Sequence, residues 1–453
     1  MELKITDGAN MILSRLETAG FSAFVAGGAV RDLLMGKAPH DFDIATAATP
    51  RQVKTIFHHV IDTGIDHGTV TVVENKIGYE VTTYRTEKGY SDGRHPDQVV
   101  FEKEIEKDLA RRDFTVNAMA YNPRRGIIDC YGGQQDLALG KIRCVGEPQV
   151  RFKEDALRML RAVRFSATLD FEIEEKTRQA IRKCGVLLKR VSAERILEEC
   201  NKILLSSRPG KFAMLHELGL LQYIIPQLEK CFGTPQRNKY HIYDVGEHII
   251  HAVEHTPQDL VLRWAALLHD VGKPCCLSTD EDGIIHFYGH HKESVLITND
   301  VLHRLRMEKD NIKDICILIE NHDVRVEPSL PAVKRMMART GEELFAKLLL
   351  LQRADNQAKN PDYLEEKLAR IDQVQHIYQE VLAEGQPYLV SHLVVNGRDL
   401  IKTGYKAGRE IGDALRVLLD EVVMNPSLNN REYLLRRATV LRQKRDRRRN
   451  TTV

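Results

Sequence analysis

Residues 27–46 read GGAVRDLLMGKAPHDFDIAT, and two features of this stretch decide how the chain is read. The first is a glycine pair, Gly27-Gly28, placed between the short apolar run Phe24-Val25-Ala26 and the segment Ala29-Val30-Arg31-Asp32. A glycine pair ahead of a helix start exposes backbone N–H groups suited to a triphosphate, and Arg31 adds a fixed positive charge. The second is Asp41-Phe42-Asp43, nine residues beyond Asp32. Alternate residues of a strand share a face, so Asp41 and Asp43 are expected to present two carboxylates side by side. Such a pair repels itself unless a cation lies between its members, and its hard oxygens suit Mg²⁺. A D-x-D alone is common on solvated strand edges. The G-G-x-x-R-D just upstream turns this one into a candidate metal and phosphate site.

Around this stretch the chain has 453 residues, 43% hydrophobic and 29% charged, a globular balance with room for several domains. No apolar run is long enough to cross a bilayer, which excludes a membrane span, and the N-terminus lacks a signal-peptide layout. Eight cysteines never form C-x-x-C, as expected of reduced thiols in a cytoplasmic protein. The net charge of +2 announces no polyanion partner, and nothing speaks to oligomeric state. Residues 442–449 (RQKRDRRR) nevertheless carry six basic side chains and one acid. Such a tail is either a solvated, disordered end or an electrostatic contact to nucleic-acid phosphates.

The hydrophobic periods divide the chain. Val70–Val73 and Tyr79–Tyr84 alternate as strands do, with Glu74-Asn75-Lys76 as a turn between them. From about residue 150 strands nearly vanish, and apolar positions recur three and four apart (Leu157, Leu160, Val163; Ile196, Leu197, Ile203, Leu204). The expected fold is therefore an α+β head, with a small mixed or antiparallel sheet and helices, followed by an all-α body.

The opening stretch resembles the active-site signature of the nucleotidyltransferase superfamily, in the class holding bacterial CCA-adding enzymes and poly(A) polymerases. Further motifs resemble that family in order: Arg111-Arg112-Asp113-Phe114-Thr115-Val116-Asn117-Ala118, Glu154-Asp155-x-x-Arg158-x-x-Arg161-x-x-Arg164-Phe165, and Ser192-Ala193-Glu194-Arg195-Ile196. The resemblance spans about residues 1–205. It implies a nucleotidyltransferase head over 1–145 and a helical neck and body, binding the base and RNA, over 146–235. It also implies two Mg²⁺ ions on Asp41 and Asp43, CTP and ATP as substrates, tRNA as partner, and nucleotide contacts from Gly28, Arg31, Arg112 and Asp113. A third carboxylate is sought at Glu80, in the strand Tyr79–Thr83, where an ordinary surface residue is an equal expectation.

Residues 155, 158, 161 and 164 step by three and are expected to line one stripe of a helix, either an exposed charged face made of salt bridges or one that meets a nucleotide. Asp155 and Arg158 together match the amine-and-acceptor edge that cytosine and adenine share, whereas uracil and guanine present carbonyl and N–H in the wrong order. Arg161 and Arg164 would face the triphosphate or brace that pair. Gly64-Ile65-Asp66-His67-Gly68-Thr69-Val70 resembles the strand entry of the CCA-adding group, and Glu87–Val100 resembles the flexible loop of CCA- and A-adding enzymes. Full CCA addition is expected first, A-only addition or poly(A) synthesis second.

Over 236–365 the chain is rich in histidine. His248, His269-Asp270 and Asp355 fit the H…HD…D pattern of the HD metal-dependent phosphohydrolase fold, which could hold a divalent transition metal or Mg²⁺. Asp244 could orient the imidazoles, and His290, His291 and His322 could serve a second metal. Such a domain implies phosphatase or cyclic phosphodiesterase activity, or a spacer. In another class of function the head only positions RNA for this hydrolase. The remaining residues, 366–453, resemble the family's tRNA-binding tail, where Lys402, Lys406 and Arg409 could grip the backbone.

Overall fold

The computed structural model describes residues 3–90, 97–237 and 239–451. They form two compact units, Met1–Glu229 with Arg304–Met307, and Lys230–His303 with Glu308–Val453.

The first unit is built on a seven-stranded mixed sheet. Helix α1 (Asp7–Thr18) is capped by the Thr6 hydroxyl and buries Ala9, Ile12, Leu13 and Leu16, the stripe that its 3.6-residue period dictates. It is followed by strand β1 (Ala23–Ala26), helix α2 (Gly28–Leu34), β2 (Ile44–Thr46), β3 (Val60–Gly64), β4 (Thr69–Glu74) and β5 (Ile77–Thr83). A ribbon of β6 (Arg85–Lys88) and β7 (Gln98–Phe101) stands apart, and β8 (Ala120–Asn122) with β9 (Gly126–Ile128) completes the sheet in the order β3-β4-β5-β2-β1-β8-β9. Asn75 and Lys76, both with positive φ (50° and 68°), make the tight turn from β4 to β5. β2 runs parallel to β5 and antiparallel to β1. Alternation along β1 sends Val25 into the core with α1 and sends Phe24 and Ala26 to the other face, against Ile105 and Leu109.

Three local expectations change. Asp41–Asp43 is the extended lead-in to β2 rather than part of the strand, but Phe42 is still buried between the two aspartates. The ends of the 87–100 segment are not loop: Glu87 pairs with Val99 in the β6–β7 ribbon, where β-branched residues favour pairing. Residues 91–96 of that segment lie outside the described residues. The basic end is not irregular either, since helix Arg431–Thr451 runs through it.

After the sheet the chain is helical. Helix Pro148–Glu154 ends at Asp155, whose extended backbone (φ −144°, ψ 107°) separates it from helix Leu157–Leu169. The four-residue stripe is thus carried by three helical arginines, with Asp155 in the break before them. Helices of the second unit include Val245–Glu254, Leu260–Leu268, Lys309–Asn321 and Glu342–Gln357. The carboxyl-terminal segments share a core of Leu400, Leu418, Val422 and Leu434. No helix among the described residues is long and apolar enough to cross a membrane.

Candidate functional site

In the first unit, β1 is followed by Gly27, whose φ of 80° turns the chain into α2. A Cβ at Gly27 would lie 2.6 Å from Arg112 Nη1, so the glycine is needed for conformation and for space. Gly27→Ala is expected to cost on the order of 1–3 kcal/mol in backbone strain and to displace Arg112. A lower Tm with a raised KM for nucleotide would bear this out; wild-type values for both would contradict it.

Beside this turn lies a cleft of about 510 Å³ lined by Gly27, Gly28, Asp43, Asn117, Phe165, six arginines (31, 111, 112, 158, 161 and 195) and two further aspartates, Asp113 and Asp155. The positive excess suits a triphosphate. Arg31 donates through Nη1 to Asn117 Oδ1 at 2.7 Å and pairs with Asp32 at 2.8 Å. Buried Arg112 Nε finds no acceptor among the described residues, although Nη2 of the same guanidinium reaches Asp108 at 3.5 Å. A second cleft of about 570 Å³ shares Arg111, Asp155, Arg158 and Arg195 and adds Glu80 and His67.

Val81 stands beside Ile44 across β5 and β2, which sets Glu80 level with Asp43. Loss of solvent, then the charges of Asp41 and Glu80, push the Asp43 carboxyl up to about 6 despite Arg112. Asp43, its proton affinity raised by the neighbouring Asp41 and Glu80, stands in the wall of a phosphate-sized cleft, where a divalent cation would relieve the repulsion.

The stripe residues are already engaged. Asp155 accepts from Arg195 through both oxygens (3.2 and 2.7 Å). Arg158 donates to Glu154 at 2.5 Å and to the carbonyls of Arg151 and Arg111. Asp113 is buried rather than open to a ligand. Burial alone would raise its pKa, but Arg161, at 2.7 Å, and the Phe114 amide hold it at about 2. Arg161 is thus oriented by Asp113, and Arg164 by Glu199 at 2.7 Å. Phe165 lies under three guanidiniums: Arg164 at 4.1 Å, Arg31 and Arg161 at 5.5 Å. Arg195, Asn117, Phe165 and Arg111 were not singled out from sequence, yet each lies inside one of the quoted motifs.

The second unit brings His248, His269, Asp270 and Asp355 together, their ligand atoms all within 4.8 Å of one another, and a second set of Asp270, His290 and His322 on the same terms. Every one of these imidazoles has its Nδ1 on a backbone carbonyl: Ala358 O (3.1 Å), Ala266 O (2.8 Å), Phe287 O (2.9 Å) and Ile319 O (2.6 Å). With Nδ1 donating, the neutral form of each imidazole presents a lone pair at Nε2. Those lone pairs face one another at 3.3 Å (His248–His269) and 3.4 Å (His290–His322), an arrangement that a cation would make favourable. Asp270 turns Oδ2 to the first pair and Oδ1 to the second. His291 is in neither set. Asp244 does not orient an imidazole; its Oδ1 accepts from the Glu247 amide at 2.8 Å and caps helix Val245–Glu254.

The tail places Lys402, Lys406 and Arg409 on the surface. Asn396 caps helix Gly397–Lys402, and Asp399, which completes the capping box, pairs with Arg431 at 2.5 Å.

Comparison with known proteins adds the following. Residues 23–143 match the family model of the poly A polymerase head domain, 170–232 the "Probable RNA and SrmB- binding site of polymerase A", and 278–438 the tRNA nucleotidyltransferase domain 2. A CCA-adding enzyme of Ligilactobacillus salivarius is 34% identical over 434 residues, 95% of each chain. One from Pediococcus pentosaceus is 49% identical over 234 residues, 51% of this chain and 57% of its own length. Among solved structures, the Bacillus stearothermophilus CCA-adding enzyme in complex with CTP superposes with a TM-score of 0.75 at 28% identity over 98% of both chains. The Thermotoga maritima CCA-adding enzyme complexed with tRNA shares the fold at 21% identity (TM-score 0.60; 96% of this chain, 94% of the other).

Proposed function

This chain belongs to the CCA-adding enzyme family, and on that premise we propose that it builds the CCA end of tRNA from CTP and ATP without a nucleic-acid template. The observation that carries the reading is Asp43 in the wall of an arginine-lined cleft, with Asp41 and Glu80 near enough to raise its proton affinity. Asp41 and Asp43 would hold Mg²⁺, which neutralises triphosphate charge and activates an attacking hydroxyl. Arg31 and Arg112, with the backbone at Gly28, take the phosphates, while Asp113 holds Arg161 toward them. Asp155 and Arg158 meet the base edge, and Arg195 orients Asp155. The division at 145, 235 and 365, with tRNA gripped by the tail, and a cytoplasmic address go with this reading.

The test uses purified protein, Mg²⁺ and tRNA transcripts ending at the discriminator base, at C or at CC, offered CTP or ATP. Two C additions and one A are expected. A single A on the CC transcript alone would make this the A-adding half of a split pair, and a long A ladder a poly(A) polymerase.

Base choice has its own test. Arg195→Met leaves Asp155 without its bidentate partner and is expected to raise UTP misincorporation relative to CTP by roughly tenfold, the discrimination that about 1–3 kcal/mol per bidentate pair supplies. An unchanged ratio would remove Asp155 and Arg195 from base selection.

The convergent imidazole nitrogens favour a second activity. We infer that the Asp270-centred cluster holds divalent metal, a transition ion or Mg²⁺, in the manner of an HD phosphohydrolase. Open positions on such ions supply a metal-activated water for phosphate-ester hydrolysis. Nickel-, manganese- or magnesium-loaded protein is then expected to hydrolyse simple phosphate esters.

A further inference from the structure

Phe165 lines the arginine-rich cleft beside Arg31 and Arg161, yet no step of the proposed reaction uses an aromatic ring there. The guanidinium carbons of these two arginines each stand 5.5 Å from its ring centre, and that of Arg164 stands 4.1 Å away. Three cations gathered so closely repel one another unless each also has a favourable partner. Each has its own carboxylate: Asp32 for Arg31 at 2.8 Å, Asp113 for Arg161 at 2.7 Å, and Glu199 for Arg164 at 2.7 Å. What they share is the ring, whose negative face attracts all three.

The ring is itself held in place. Arg161, Arg164 and Phe165 lie three and four apart on helix Leu157–Leu169, so they share one side of it. The ring meets Phe114 edge on, with centroids 5.7 Å apart and planes at 79°. Phe114 is fully buried, and its amide donates at 2.8 Å to Asp113 Oδ1, the carboxylate whose Oδ2 takes Arg161. Three sequence motifs therefore converge on one point: Arg31 from the first, Phe114 from the second, and the ring itself from the third.

A triphosphate binds best where its arginines are already ordered, since immobilising long side chains on binding lowers affinity. We propose that Phe165 is the positioning residue of the triphosphate clamp, holding Arg31 and Arg161 at the cleft wall through the negative face of its ring rather than through its bulk. The proposal rests on the reading of Arg31 and Arg161 as phosphate contacts and adds what sets their geometry. Because Asp155 and Arg158 are the residues that meet the base, the effect of Phe165 is the same for every nucleotide.

The experiment uses the full chain with Mg²⁺ and inorganic tripolyphosphate, a probe without a base, with binding measured by calorimetry. Mono-, di- and trifluorinated phenylalanine are installed at position 165, because fluorine withdraws charge from the ring face and scarcely changes its size. Affinity for tripolyphosphate is expected to fall stepwise with each fluorine, by roughly three- to thirtyfold for the trifluorinated ring. Phe165→Leu, which has no ring, loses at least as much, and Phe165→Tyr, which keeps one, stays within about twofold of the parent. In nucleotide addition, KM for CTP and KM for ATP rise by the same factor while the preference for CTP over UTP is unchanged. A flat fluorine series means that the ring only fills space and overturns the proposal, whatever the leucine variant does. The fluorinated rings also decide the case if the leucine variant does not fold. A rise in KM for one nucleotide and not the other places Phe165 at the base and equally overturns it. A parent that binds no tripolyphosphate and adds no nucleotide fails the reading of the cleft and takes the proposal with it. A parent that does both, with a flat series, fails the proposal alone.

Discussion

Asp43→Asn is expected to lower nucleotide addition by at least roughly three orders of magnitude while raising the Tm of the metal-free protein by on the order of 1–3 °C. The two effects share one cause. Asp43 stands level with Glu80 and beside Asp41, and desolvation with these two charges pushes its carboxyl up to about 6. Without a cation, the neutral-pH enzyme therefore folds with like charges gathered around Asp43, and an amide of the same shape relieves part of that repulsion. With Mg²⁺ and nucleotide present the same charges become the metal's ligands, and losing one forfeits about 4 kcal/mol of transition-state stabilisation at the quoted rate loss. Mg²⁺ should raise the Tm of the wild type more than that of the variant. Primer extension on CC-ended tRNA with labelled ATP measures the first effect, and melting with and without Mg²⁺ the second. An active variant would remove Asp43 from the metal site. A variant destabilised in the absence of metal would mean that its carboxylate serves packing instead.

The legible part of this protein was the part written in local patterns. The strand alternation at Val70–Val73, the turn at Asn75-Lys76 and the glycine turn before α2 follow from side-chain period and backbone sterics, and the structure has all three. The gathering of His248, His269, Asp270 and Asp355 was legible for a different reason: their order along the chain fits the H…HD…D pattern of a known fold. Pair identity was not legible. Nothing in a spacing of three tells that Asp155 leaves the helix and turns to Arg195, or that Asp113 is buried holding Arg161, because both depend on which segments pack together. The same holds for Asp244, whose carboxylate is drawn to the nearest orphan amide of its own helix rather than to an imidazole. Sequence named the chemical types of the site, and tertiary packing assigned each its partner.

That distinction gives the Asp270→Asn variant its force, since Asp270 alone belongs to both ligand sets. Its Oδ2 lies 3.1 Å from His269 Nε2 and 3.3 Å from His248 Nε2, and its Oδ1 lies 3.2 Å from His290 Nε2. Asparagine keeps the volume but offers one neutral oxygen, and its amide would donate to whichever imidazole pair it faces. Bound metal, measured by plasma mass spectrometry after dialysis, is expected to fall from about two ions per chain to fewer than one, and ester hydrolysis by at least roughly a thousandfold. His290→Ala, which touches only the second set, should remove one ion and leave the first. Folding is protected on one side, because buried Lys273, which loses its 2.6 Å partner, still donates to Gln236 Oε1 at 2.7 Å. CCA addition by the Asp270→Asn protein serves as the control, since the residues proposed for its metal, phosphate and base contacts lie in the other compact unit. Retained metal with lost hydrolysis would give Asp270 a role in chemistry rather than in ligation. Retained hydrolysis would remove the cluster from that activity altogether. Loss of CCA addition and hydrolysis together would sink the separation into two independent sites.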